Sequence, residues 1–206
     1  MIELFVSSLI TFFVVIDPPG CAPIYAGLTA QASDAQRRAM AVRAVVVAAA
    51  ILLVFALFGE ALLKALHIGL PAFRIAGGIM LFLIALEMVF EKRTQRREDR
   101  AQKIIDTPEV EDVAIFPMAM PMIAGPGSIA STMLLMSQTG GLAASLVVLA
   151  AMGAILLLTL GALLAAGPLM RVLGAEVEGV ITRLLGVLLG ALAVQFVVDG
   201  VRASLG

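Results

Sequence analysis

The chain has 206 residues, of which 61% are hydrophobic and 14% are charged, and its mean hydropathy is +1.07. A soluble domain is about half apolar and about a quarter charged, so a water-soluble fold is excluded and the lipid bilayer is the expected surrounding. One cysteine and one histidine exclude an internal disulfide and a His/Cys metal site, and the formal net charge of −1 does not point to nucleic acid.

The first apolar segment, residues 2–30, has to be distinguished from a secretory signal peptide. The region before its apolar run contains Glu3 and no Lys or Arg, and no small-x-small cleavage site precedes Asp17. We therefore expect this segment to be retained as the first membrane-spanning helix.

Six segments are long and apolar enough to cross the hydrocarbon core of a bilayer, which takes about 20 helical residues. They are 2–30, 40–66, 71–91, 114–138, 142–166 and 178–201. The sequence thus predicts an all-α membrane protein with six transmembrane helices, which form a single polytopic membrane domain.

Two of these segments are interrupted near their centres by proline and glycine. The first contains Asp-Pro-Pro-Gly-Cys-Ala-Pro at 17–23, and the fourth contains Ala-Gly-Pro-Gly-Ser at 124–128. Proline removes a helical hydrogen bond and clashes with the preceding turn, and lipid offers no partner to the freed backbone groups. We therefore predict that helices 1 and 4 are broken at mid-membrane around a cavity. Structural hinges packed against neighbouring helices are the alternative.

The two halves of the chain resemble each other. We divide it into a first repeat at 1–91, a cytoplasmic connector at 92–113 and a second repeat at 114–206. Each half has one broken segment, and its third segment opens with Arg-x-x-Gly, at Arg74 and at Arg183. Because three is odd, the second three-helix unit enters the membrane upside down, and two inverted repeats are expected.

The basic residues are distributed unequally between the two sides of the predicted membrane helices. Eleven lie on the side of the connector, and only Lys64, Arg74 and Arg202 lie on the other. Since cytoplasmic loops are enriched in Lys and Arg, we expect a cytoplasmic connector and two non-cytoplasmic termini in the plasma membrane, the inner membrane of a bacterium.

The two breaks supply the candidate substrate-binding residues. Half-helix N-termini present free N–H groups and positive dipole ends, which favour an anionic group of a ligand. A carboxylate inside the membrane is costly unless it is paired, solvated or protonated, so Asp17 could accept an ammonium group, coordinate a cation or take up a proton. Capping of the restarted helix is the alternative for Asp17. The predicted site consists of Asp17, Pro18, Gly20, Cys21, Pro23, Gly125, Pro126, Gly127, Ser128 and Thr132.

Several other polar or small residues have simpler interpretations. Ser128 and Thr132 offer hydroxyls to the cavity, but such groups also bond to their own helix backbone. Glu87 lies near the cytoplasmic end of its segment, where we expect it to reach water or to pair with a nearby base. Gly186 and Gly190 are expected to allow close helix packing.

The sequence contains no recognisable enzyme motif. It has no H-E-x-x-H, no G-x-S-x-G and no Gly-rich nucleotide loop. Asp17 and Asp199 are predicted at different depths and so do not form an aspartyl pair. We therefore expect a protein that is not an enzyme and that needs no metal or cofactor.

The run Ile-Asp-Pro-Pro-Gly-x-x-Pro-Ile at 16–24, followed by Pro-x-x-Ala-Gly-Pro-Gly-Ser-Ile at 121–129, resembles the MarC family of integral membrane proteins, which are related to the LysE-type exporters. The resemblance covers essentially the whole chain. It implies six helices in two inverted repeats and, as in relatives of the SnatA type, movement of small neutral amino acids. In this chain Asp17 stands where asparagine is also frequent, and Cys21 stands where a polar residue is common.

The resulting hypothesis is a secondary transporter of small neutral amino acids, such as glycine, alanine or serine, with the substrate bound between the two breaks. Because no ATP-binding motif is present, the driving force would be a gradient of H⁺, Na⁺ or the substrate itself. A passive small-solute channel or a non-transporting membrane scaffold is the alternative. The sequence leaves open whether the protein forms a homo-oligomer.

Overall fold

The structure is a computed structural model that describes residues 1–90, 96 and 112–205, and the side chains of these residues except 168–178. All regular elements of the described residues are helices, which confirms the predicted all-α class. They are α1 (Ile2–Ile16), α2 (Pro18–Leu28), α3 (Asp34–Ala65), α4 (Leu70–Val89), α5 (Ala114–Ile123), α6 (Pro126–Ser137), α7 (Leu142–Leu164) and α8 (Ala166–Leu205).

Among the described residues, five helical stretches are long and apolar enough to cross a membrane, or six if the bent pair α5 and α6 is one span. The pair α1 and α2 counts as one span, Ile2–Leu28, and the last span is Gly179–Leu205 within α8. Most helix ends agree with the six predicted segments to within a few residues. The exceptions are α3, which begins at Asp34 and not at 40, and α8, which begins at Ala166 although its membrane-crossing part begins close to the predicted 178. The predicted connector at 92–113 lies outside the described residues, apart from its residues 96, 112 and 113.

Local sequence signals account for where the helices begin. The Ser33 hydroxyl accepts a hydrogen bond from the Gln36 N–H at 3.3 Å, and the Gln36 side chain accepts one from the Ser33 N–H at 2.9 Å. This capping box starts α3. Asp112 accepts a bond from the Ala114 N–H at 2.9 Å at the start of α5 and also pairs with Arg43 of α3. Prolines in the first turns of α2, α4 and α6 occupy positions where no backbone donor is needed.

The helices of the two halves pack across each other. Helix α7 contacts both α1 and α2, and α3 contacts both α5 and α6. Helices α4 and α8 make the most extensive contact and run antiparallel. A Cβ added at Gly78 would lie 2.7 Å from the Ala193 carbonyl oxygen, and one added at Gly186 would lie 2.8 Å from the Met88 Cβ. The close packing predicted for Gly186 is therefore confirmed.

The outer surface of the bundle carries many large apolar side chains. Leu53, Val54, Leu57 and Phe58 of α3 are between 42% and 62% exposed. Inside the bundle, one buried cluster joins residues of α1, α2, α3, α5 and α7 with Leu135 of α6 and Ala166 of α8, and a second joins residues of α1, α4, α6 and α8. An exterior of this kind is stable in lipid rather than in water.

Candidate functional site

The first break is a single residue, Asp17, which joins α1 to α2. Its backbone is in the left-handed region, with φ 60° and ψ 65°, a conformation that aspartate tolerates better than most residues. Asp17 Oδ1 accepts a hydrogen bond from the Gly20 N–H at 3.2 Å, so the carboxylate caps α2. A Cβ at Gly20 would lie 2.3 Å from Asp17 Oδ2, and the glycine therefore makes room for this cap. Asp17 is 1% exposed.

The unwound stretch is shorter than the proline content of 17–23 predicted. Pro18, Gly20, Cys21 and Pro23 all lie within α2. The first N–H groups of a helix have no intrahelical partner, so Pro18 in the first turn loses no hydrogen bond, whereas Pro23 lies inside the helix and removes one backbone donor. The buried Cys21 Sγ donates to the carbonyl oxygen of Ile16 across the break at 3.5 Å.

The second break lies between α5 and α6, which are bent by 52° relative to each other. Gly125 precedes α6, and no side chain caps the start of this helix. A Cβ at Gly125 would lie 2.3 Å from the Pro121 carbonyl oxygen, so a larger residue there would require the backbone to move. The N-terminus of α6 is consequently not neutralised by a side chain in the way that Asp17 neutralises the N-terminus of α2.

The hydroxyls near the second break are bonded to the backbone. Ser128 Oγ donates to the Ile123 carbonyl oxygen at 2.7 Å, and Thr132 Oγ1 donates to the Ser128 carbonyl oxygen at 2.7 Å. The bond from Ser128 crosses its break as the bond from Cys21 crosses the first one. Each satisfies a carbonyl group five residues back, at the end of the preceding helix. These side chains therefore hold the breaks together.

A cavity of about 350 Å³ lies against the second break. Its lining comprises Val15 of α1, Met80, Leu83, Ile84 and Glu87 of α4, Arg96, and Pro121, Met122, Gly125, Pro126, Gly127 and Ser128 of the second break and its flanks. The walls are mainly apolar, and the polar groups are the backbone at the start of α6, the Ser128 hydroxyl and one ion pair. Small-molecule sites commonly combine apolar walls with a few polar groups in this way.

The structure brings together only part of the predicted site. Gly125, Pro126, Gly127 and Ser128 line the cavity, whereas Thr132 and the predicted residues of the first break do not. The two breaks nevertheless lie close to each other. A Cβ at Gly127 would lie 3.2 Å from Cγ1 of Val15, two residues before Asp17.

Sequence reasoning missed the role of α4 in the cavity wall. Glu87 Oε1 lies 2.8 Å from Arg96 Nη1, so the predicted pairing of Glu87 with a nearby base is confirmed. Its place on the wall was not predicted. The signal was present in the spacing, because Met80, Ile84 and Glu87 repeat at helical intervals on one face of α4.

The described residues contain no group of three or more His, Cys, Asp or Glu side chains placed to hold a metal ion. The cavity lining offers a helix N-terminus for an anionic group, the Glu87 carboxylate, and apolar surface.

Comparison with known proteins gives one family over nearly the full length. A family model described as MarC family integral membrane protein matches residues 2–205. The chain is 36% identical to the UPF0056 membrane protein MJ1677 of Methanocaldococcus jannaschii, covering 99% of this chain and 98% of that protein. It is 32% identical to the UPF0056 inner membrane protein YhgN of Escherichia coli, with 96% and 95% covered, and 31% identical to YvbG of Bacillus subtilis, with 98% and 96% covered. No solved structure matches the chain.

Proposed function

The chain belongs to the MarC family of integral membrane proteins, and we propose that it is a secondary transporter of small neutral amino acids. The observation that carries this proposal is the uncapped N-terminus of α6, which opens onto a cavity of about 350 Å³ lined mainly by apolar residues of α1, α4 and α5. The first N–H groups of a helix need hydrogen-bond partners, and the carboxylate of a bound ligand would supply them here.

The proposed site for the substrate carboxylate is the first turn of α6. The N–H groups of Gly127 and Ser128 have no partner within the helix, and the positive end of the helix dipole adds to their attraction for an anion. At the first break, the corresponding end of α2 is already occupied by the carboxylate of Asp17. We propose that the substrate carboxylate takes at α6 the place that Asp17 takes at α2.

The remaining walls favour a substrate with a small, uncharged side chain. Val15, Met80, Ile84 and Met122 present apolar surface to the cavity. A charged side chain would lose its hydration against these four residues, none of which offers it a partner, whereas the hydrogen or methyl group of glycine or alanine would not. Serine adds a single hydroxyl.

Two inverted repeats are part of the same proposal. Several features of the two halves support it: a proline begins the second half-helix at Pro18 and again at Pro126, and α7 and α3 each pack against the broken span of the other half. In such designs the substrate lies at the interface of the repeats, and rocking of one repeat against the other exposes it to the two sides in turn. The coupling ion would be H⁺ or Na⁺.

In this proposal the first break positions its helix and does not bind the substrate directly. Asp17 and Cys21 are both buried, with 1% and 0% exposed, and both bond to backbone groups of the break. This burial is also what a non-transporting scaffold would have. The cavity at the second break favours the transporter, because a scaffold needs no such opening.

Uptake of labelled glycine, alanine and serine into proteoliposomes tests the proposal. A secondary transporter should accumulate substrate when a proton or sodium gradient is imposed, and it should exchange internal for external substrate when no gradient is present. A channel would equilibrate the substrate without accumulation or exchange, and a scaffold would give the same uptake as protein-free liposomes. Either of these results would contradict the proposal.

A further inference from the structure

We propose that the Glu87 carboxylate receives the ammonium group of the substrate. When no substrate is bound, Arg96 pairs with this carboxylate. This inference rests on the proposed function and adds a specificity-determining residue to it. Glu87 belongs to a membrane-spanning helix, lines the same cavity as the start of α6 and lies 2.8 Å from Arg96.

Glu87 lies on the part of α4 that adjoins the start of α6. Ile84 contacts the second break, because a Cβ at Gly127 would lie 2.7 Å from Ile84 Cδ1. Glu87 lies three residues further along α4, an axial rise of about 4.5 Å. A hydrogen bond at each end of a ligand spans about 2.9 Å between heavy atoms. Glu87 and the start of α6 line the same cavity, and an α-amino acid carries both of its charged groups on one carbon.

The two positions carry opposite charge. The start of α6 is the positive end of a helix dipole, and Glu87 provides a negative charge on the facing helix. Ser128 has the one uncharged polar side chain among the lining residues, and its hydroxyl already donates to the Ile123 carbonyl oxygen. A zwitterion matches this pair of charges, whereas a simple carboxylate matches only one of them.

Glu87 is held by Arg96 in the structure. The side chain of Glu87 is 25% exposed and that of Arg96 is 56% exposed. Ion pairs as exposed as Arg96 contribute little to stability, so a purely structural role explains poorly why the pair lies on the cavity wall. A guanidinium at this position instead acts as an internal cation that the substrate ammonium displaces.

Binding to the purified full-length protein tests the inference, with L-alanine and propionate as probes. Propionate has the carboxylate but lacks the ammonium group. Glu87→Gln should weaken alanine binding about tenfold, the size of a lost charge-assisted hydrogen bond. The same variant should not weaken propionate binding, because propionate has no ammonium group for Glu87 to receive. Arg96→Gln should strengthen alanine binding several-fold, because it removes the competitor. This strengthening should disappear when Glu87→Gln is also present.

Lys64→Gln is the matched control, because Lys64 forms an exposed ion pair with Glu60. Lys64 Nζ lies 2.7 Å from Glu60 Oε1, and neither residue lines this cavity. It should leave both probes unaffected. Thermal unfolding identifies variants that fail to fold, and Glu87→Asp keeps the charge if Glu87→Gln proves unstable. Effects of Glu87→Gln and Arg96→Gln in the same direction, or equal alanine binding by wild type and Glu87→Gln, would overturn the inference and leave the proposed function intact. A wild-type protein that binds none of glycine, alanine and serine would overturn both.

Discussion

Asp17 and Gly125 occupy the same place in the two breaks, directly before the proline that begins a half-helix, yet only Asp17 caps the helix that follows it. Asp17 Oδ1 accepts a hydrogen bond from the Gly20 N–H at 3.2 Å. Gly125 has no side chain, and the Pro121 carbonyl oxygen leaves no room for one. The chain thus supplies its own anion to one helix N-terminus, and the other opens onto a cavity.

Substitutions at Asp17 should separate its cap from its backbone conformation. Asp17→Asn keeps an acceptor oxygen and tolerates φ 60°, so stability and transport per folded molecule should change little. Asp17→Gly keeps the conformation but loses the cap. Asp17→Ala loses the cap, about 0.5–2 kcal/mol, and also strains the left-handed backbone by about 1–2 kcal/mol.

Thermal unfolding in detergent and transport by the folded fraction would measure these effects. The expected order of stability is wild type and Asn, then Gly, then Ala. A stably folded Asp17→Asn protein without transport would instead give the negative charge a direct role with the substrate or the coupling ion.

Gly127 should tolerate one added carbon but not a full side chain. The atom nearest to an added Cβ is Ile84 Cδ1, the end of a flexible side chain, so Gly127→Ala should fold and bind. Gly127→Leu should cost about 1–3 kcal/mol by overpacking and should abolish transport by filling the cavity. Gly161→Leu is the control, since nothing lies within 4 Å of an added Cβ there and leucine is the better helix former. Unfolding and uptake assays would show the contrast, and normal uptake by Gly127→Leu would contradict it.

The contact between α4 and α8 should depend on Gly78 far more than on Gly190. A Cβ at Gly78 would lie 2.7 Å from the Ala193 carbonyl oxygen, a backbone atom that moves only with its helix, whereas one at Gly190 would lie 3.7 Å from the Ala85 Cβ. Gly78→Ala should therefore destabilise the protein by about 1–3 kcal/mol, and Gly190→Ala should be neutral or slightly stabilising. Thermal unfolding of both variants checks this, and equal effects would mean that α4 and α8 can separate without cost.

Sequence alone predicted most of the fold because the apolar runs are long and their ends are marked. Ser33, Gly69 and the prolines at 18 and 126 explain where helices begin. The extent of the first break could not be predicted, since a proline fits the first turn of a helix as well as it fits a stretch of non-helical backbone. The cavity wall could not be predicted either. Whether Val15 and Ile84 meet Gly127 depends on the register between helices far apart in the sequence, and composition does not determine that register.

Cysteine labelling should establish the orientation that the basic residues predict. Cys21 is buried, and Cys21→Ser gives a background in which one introduced thiol can be followed. A cysteine in place of Thr94 in the connector should react with an impermeant reagent only after the cells are permeabilised. A cysteine in place of the exposed Ser204 should react in intact cells. Labelling of both positions from the same side would contradict two inverted three-helix units.

Substrate protection of a thiol at position 84 tests most directly whether the substrate is held in the cavity beside the second break. In the Cys21→Ser background, Ile84→Cys places a reactive group on the wall that faces Gly127, and Lys64→Cys serves as an exposed control outside this cavity. We expect alanine to slow the modification of Ile84→Cys several-fold and to leave the modification of Lys64→Cys unaffected. Unchanged modification of Ile84→Cys, at alanine concentrations that saturate uptake by the same protein, would contradict it.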